Sequence, residues 1–180
     1  MIFLIIFLIC MFLTLAVSVM AGVSDFKTLK IPNMYSVYVI AAFLLAYVTL
    51  YLGGYDAVFD DFYMHLLSMG LTFLVTFILF ALKLIGAGDS KFATACAIWV
   101  SLKYMPIYLF FMTLFGSVLG IVALYLKNKK PFKSPAQGSW IEQVQGGASK
   151  VPYGIAIAVG LALSFMHTGY LTTEVLSSFL

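Results

Sequence analysis

Apolar residues run along this chain in long unbroken blocks, not in the alternation that marks half-buried strands. No charge occurs from Met1 to Ser24, and four further uncharged stretches follow at Met34 to Leu52, Met64 to Leu82, Ile107 to Leu126 and Val151 to about Tyr170. Each is near the roughly 20 residues a helix needs to cross hydrocarbon. Between Lys91 and Lys103 only eleven uncharged residues remain. Ser90 to Tyr104 still crosses if Lys103 snorkels outward and Met105-Pro106 forms the turn. The pattern predicts an all-α polytopic membrane protein with six transmembrane helices, the fourth of them short. The first block lacks the basic start of a cleaved signal peptide and is expected to be retained, with cleavage near Val19-Met20-Ala21 as the alternative.

Composition agrees. Of 180 residues 63% are hydrophobic and 9% charged, too little polar surface for a water-soluble domain. The formal charge of +3 is spread too thinly to suggest a nucleic-acid partner. The positions of the ten basic residues, all lysines, test the span count. With six spans, Lys27, Lys30, Lys83, Lys91, Lys127, Lys129, Lys130, Lys133 and Lys150 fall on one side. Lys103 falls on the other with Asp56, Asp60, Asp61 and Glu174. The lysine-rich side is therefore read as cytoplasmic and both termini as external, in the inner (plasma) membrane. Residues 1–180 are expected to form one membrane-embedded domain, with a polar cytoplasmic loop at about 127–150. Trp140, Ile141 and Val144 could let part of it lie in the interface.

Against this background two acids stand out. Asp25 follows the first span and Asp89 begins the fourth, so both are placed at the cytoplasmic boundary at similar depth. Each alone reads as a solvated helix terminus. Together they suit general acid-base work: two close carboxyls share one proton, the ionised one activating water while the protonated one polarises a carbonyl. That is aspartyl peptide hydrolysis, and it needs no metal and no cofactor. Gly86 and Gly88 precede Asp89, leave room for another backbone, and permit positive φ. His65 and His167 are placed at the opposite face and read as structural. Cys10 and Cys96 form no CxxC pair and read as small apolar core residues.

These segments resemble a family, the bacterial type IV prepilin peptidases and their archaeal preflagellin relatives, membrane aspartyl proteases of the Gly-x-Gly-Asp type. Asp25-Phe26-Lys27-Thr28-Leu29-Lys30-Ile31-Pro32-Asn33 resembles the family's first-aspartate segment. Gly86-Ala87-Gly88-Asp89-Ser90-Lys91 resembles the second, with Ser90 where an aliphatic residue is common. Val151-Pro152-Tyr153-Gly154 resembles the Pro-Tyr motif that opens the last span. The resemblance implies Asp25 and Asp89 as the catalytic pair, with Gly86, Gly88, Lys91, Pro152 and Tyr153 shaping the site. The chain lacks the cysteine-bearing insert of the long, methylating enzymes and resembles the short form of tight-adherence (Tad/Flp) pilus systems. The implied partners are prepilin or pseudopilin precursors, cleaved at the cytoplasmic face without N-methylation. A preflagellin peptidase is the near alternative. From another class, a small proton-coupled transporter or a pilus-assembly membrane subunit stays open. The residues leave the oligomeric state undetermined.

Overall fold

The computed structural model describes residues 1–177 and 179. Among these the regular elements are helical, with no strand: α1 (Ile2–Thr28), α2 (Asn33–Leu52), a 3₁₀ turn (Asp56–Val58), α3 (Phe62–Ala81), α4 (Ala87–Ala97), α5 (Met105–Lys129), α6 (Trp140–Gln145), α7 (Tyr153–Phe165) and α8 (Thr173–Ser177). Four of them, α1, α2, α3 and α5, are long and apolar enough to cross a membrane, and the chain is a membrane protein. The two remaining expected spans are shorter than the sequence suggested: α4 has 11 residues and α7 has 13. Only the backbone of Asp56 and Glu174, two of the acids expected at the lysine-poor end, is described.

The bundle is sorted for lipid. On α3 the buried residues are His65, Ser68, Thr72 and Thr76, while Leu71, Phe73, Leu74, Phe77 and Ile78 face outward. With hydrocarbon as solvent, large side chains gain nothing by turning inward, and small or hydroxyl residues let helices approach. The same rule explains the glycine crossing of α1 on α7, where a Cβ on Gly22 would sit 3.3 Å from the Gly154 carbonyl.

The interior of the bundle is α4. From Phe92 to Ser101 every residue is buried, so its small side chains (Ala93, Thr94, Ala95, Cys96, Ala97) are packed on all sides and none is needed against lipid. At about 1.5 Å per residue the helix covers roughly 16 Å, and its end lies inside the protein. Backbone groups freed there need partners, because irregular backbone is tolerated at depth only where protein satisfies it. Side chains of α3 and of the turn after α7 supply them. His65 Nδ1 lies 2.8 Å from the Ile98 carbonyl, and the Tyr170 hydroxyl donates to the Trp99 carbonyl at 2.7 Å. Trp99 donates its indole N–H to the Val39 carbonyl at 3.1 Å. Around this point Phe7, Phe43, Phe59, Trp99 and Tyr170 pack edge to face, an arrangement that ring quadrupoles favour. His65 belongs to that cluster, touching Phe43 and Phe59, which gives it the structural role expected of it. Cys10 and Cys96 are buried and unbridged, also as expected.

At the opposite end of the bundle the C-terminal ends of α1 and α3 meet the N-terminal ends of α2, α4 and α7. The polar loop after α5 folds back there. Trp140 of α6 packs on Phe26 and donates its indole N–H to the Lys150 carbonyl at 2.7 Å. Gln145 bonds both backbone groups of Phe132. Trp140 and Val144 are buried against α1 and α5, so this loop is anchored in the protein.

Candidate active site

Two aspartates lie at this end. Asp25 does not follow the first helix, as the sequence suggested, but lies within its last turn, because α1 continues to Thr28. Asp89 is the third residue of α4, one turn inside its start. Their exposures, 3% and 9%, do not fit solvated helix ends. Acids this buried need hydrogen-bond partners.

Each carboxylate is held through one oxygen by a backbone N–H. Gly154, in the first turn of α7, donates to Asp25 Oδ2 at 2.8 Å. Gly86, the residue that caps α4, donates to Asp89 Oδ2 at 2.8 Å. Both acceptors therefore sit at helix N-termini, where unpaired N–H groups and the helix dipole favour negative charge. The second oxygen of each remains available to the cavities.

Two cavities are bordered by both aspartates. One, of about 220 Å³, is also lined by Lys83, Ser149 and Lys150. The other, of about 480 Å³, runs along Lys30, Ile31, Pro32 and Asn33 to Gly86, Ala87 and Gly88. Leu29 lines both. A third, of about 240 Å³, holds Asp89 without Asp25 and leads between α3 and α5, past Tyr153. Three non-glycine residues at this end take left-handed backbone, Leu29 at φ 52°, Lys83 at φ 60° and Lys130 at φ 45°, and the first two line the cavities. Lys83 occupies the position after α3 where glycine is usual: its N–H bonds the Phe80 carbonyl at 2.8 Å and that of Leu84 bonds the Leu79 carbonyl at 2.9 Å. Strain of this kind gathers at functional sites.

The expected site residues divide. Asp25, Asp89, Gly86 and Gly88 line one cavity, and Tyr153 faces Asp89 from another. The Tyr153 ring lies on Gly116 of α5, where a Cβ would come within 2.7 Å of it. Pro152 is buried and starts α7, with no contact to either carboxylate among the bonds that hold them. Lys91 is exposed and lines neither cavity that contains both aspartates. The glycines act differently from expectation. Gly86 has φ of −80° and Gly88 lies within α4, so neither uses positive φ. A Cβ on Gly88 would make only ordinary contact with Ile31, at 3.5 Å.

Sequence reasoning missed Gly154, Lys83 and Lys150. Gly154 stood inside the quoted Val-Pro-Tyr-Gly segment, and a glycine just after a helix-starting proline was a usable signal for close approach. The two lysines were counted for topology only; nothing in their spacing joins them to the aspartates.

Such a constellation of two buried acids, backbone donors and water-accessible space can hydrolyse an amide by acid-base catalysis. No group of three or more metal-ligating side chains occurs among the described residues. Among curated proteins and among solved structures none matches the chain. A family model does, that of the type IV leader peptidase family, over residues 2–121. The match covers two thirds of the chain and includes Asp25 and the Gly86–Asp89 turn, and by it this membrane protein belongs to the type IV leader peptidase family.

Proposed function

We propose that the protein is an aspartyl endopeptidase that removes the leader from prepilin-like precursors, using Asp25 and Asp89 as its acid-base pair. The observation that carries this reading is the shared burial of the two carboxylates on the same two cavities, each fixed by one backbone N–H. In the scheme, the pair holds a single proton. The ionised member takes a proton from water as the water attacks the scissile carbonyl, while the protonated member gives its proton to the carbonyl oxygen. As the tetrahedral intermediate collapses, the member that took the water proton gives it to the leaving amine while the other takes a proton back from a hydroxyl of the intermediate, and the pair is restored. Lys83 and Lys150 line the smaller cavity together with both acids.

In this reading six segments cross or enter the inner membrane, with the lysine-rich end cytoplasmic and cleavage there. One membrane domain carries the activity, and no methyl transfer follows the cut. The site's position at one end of the bundle favours proteolysis over proton-coupled transport, which places its carboxylates near the bilayer midplane.

The test is co-expression with a prepilin of the Flp type and observation of its size. Asp25→Asn and Asp89→Asn are each expected to abolish processing while the protein still accumulates in the membrane. Processing at the normal rate by either variant would sink the assignment.

A further inference from the structure

Two grooves open from the bundle toward the lipid. One is the 240 Å³ space between α3 and α5, walled by Leu79, Met112, Thr113, Ser117, Tyr153 and Ile157. It shares Leu84, Ile85 and Asp89 with the cavity that holds both carboxylates. The other, about 300 Å³, lies between α1 and α7, is lined by apolar side chains and glycine alone, and touches neither aspartate.

We propose that the α3–α5 groove seats the apolar segment of the precursor, which reaches Asp89 laterally from the bilayer. The inference rests on the peptidase reading and adds the route of the substrate. Three observations support it.

The first is continuity. Among the described residues, Asp89 is the acid that borders both the lipid-facing groove and the cavities lined by Lys30, Lys83 and Lys150. A chain with a polar leader and an apolar continuation would be divided at that point, leader among the lysines and apolar part in the groove.

The second is the wall of α5. Its lipid-facing residues are mostly large (Phe110, Leu114, Val118, Ile121), yet Thr113 and Ser117 form a small, exposed pair one turn apart. Their hydroxyls are spent on their own helix, Thr113 on the Leu109 carbonyl at 2.8 Å and Ser117 on the Thr113 carbonyl at 2.8 Å. What they present outward is a shallow surface with its polar atoms satisfied, which suits close approach of another helix in lipid.

The third is the floor. Tyr153 reaches the groove, and Gly116 leaves its ring room against α5, where a Cβ would come within 2.7 Å. The groove would hold one or two side chains of a helix seated over it, next to the bond to be cut.

The experiment traps the precursor on an Asp25→Asn background. Single cysteines are introduced at Ser117, in the groove, and at Val159, in the α1–α7 groove. The probe is an Flp-type prepilin with one cysteine near the start of its apolar segment. Mild oxidation is followed by a non-reducing gel, and the background without an added cysteine reports on buried Cys10 and Cys96. Ser117→Cys is expected to give a disulfide adduct at least tenfold above that background and Val159→Cys none. An adduct from Val159→Cys equal to or above that of Ser117→Cys, or no adduct from either, would overturn the proposal. In a protein with both aspartates intact, Ser117→Trp is expected to lower kcat/KM at least tenfold, mainly through KM, and Val159→Trp to leave it unchanged. Equal effects of the two tryptophans would also overturn it. If the unaltered protein fails to process the prepilin at all, the peptidase reading fails and this inference falls with it.

Discussion

Gly154 offers the most stringent test of how the site is built. A Cβ there would lie 2.9 Å from the Asp25 Cβ, 3.1 Å from the Ile31 Cδ1 and 3.2 Å from the Ala21 carbonyl oxygen. Carbon contacts are comfortable at about 3.5–4.0 Å, so the groups must separate by roughly 0.5–1 Å. Ile31 can turn its methyl aside. Ala21 and Asp25 belong to the backbone and first carbon of α1 and cannot, so the start of α7 must withdraw. The 2.8 Å bond from the Gly154 N–H to Asp25 would then stretch beyond useful hydrogen-bond length. A bond to a charged group contributes about 1.5–3 kcal/mol, and at about 1.4 kcal/mol per decade its loss corresponds to a roughly 10- to 150-fold slower reaction. Overpacking adds about 1–3 kcal/mol of destabilisation. Purified Gly154→Ala enzyme should therefore show kcat/KM for prepilin cleavage reduced at least tenfold and a lower unfolding temperature in detergent. Gly120→Ala is the control, since a Cβ there meets nothing within 4 Å; it should match the parent in both measurements. A Gly154→Ala enzyme that cleaves within twofold of the parent rate, at equal membrane abundance, would refute the claim that this glycine positions Asp25.

Other residues give further expectations. Gly116→Val should push the Tyr153 ring off α5, given the 2.7 Å approach there, and slow cleavage; combined with Tyr153→Ala it should cost no more than Tyr153→Ala alone, and additive losses in a double-mutant cycle would show that the two act separately. His65→Ala should lower stability by roughly 2–4 kcal/mol through a cavity in the aromatic cluster and loss of the bond at Ile98. The rate per folded molecule should stay unchanged, as a denaturation curve and an activity titration would report. Trp140→Ala should free the loop after α5 by removing its packing on Phe26 and its bond to Lys150. Trypsin should then cut at Lys129 to Lys133 several-fold faster, and equal digestion rates would count against the anchoring described.

Much was legible in the sequence, for particular reasons. Long uncharged blocks specified α1, α2, α3 and α5 to within a few residues, because crossing lipid imposes length and hydropathy on each helix independently of its neighbours. Asp25 and Asp89 stood out because ionisable groups are so scarce among such blocks. Their order beside Ile31-Pro32-Asn33 and Gly86-Ala87-Gly88 carried the resemblance that the family match bears out.

Only the tertiary structure decided the rest. Hydropathy treats every apolar helix as facing lipid, and so it could not reveal that α4 is enclosed by its neighbours, stops after 11 residues and has its end satisfied by His65 and Tyr170. Gly154 donating to Asp25 across 129 positions, and Lys83 and Lys150 lining the cavity beside both acids, are facts of helix packing. Residue type and local spacing determined which groups could do chemistry in this chain. Which of them come together depended on how helices of unequal length pack, and no local pattern encodes contacts between segments so far apart.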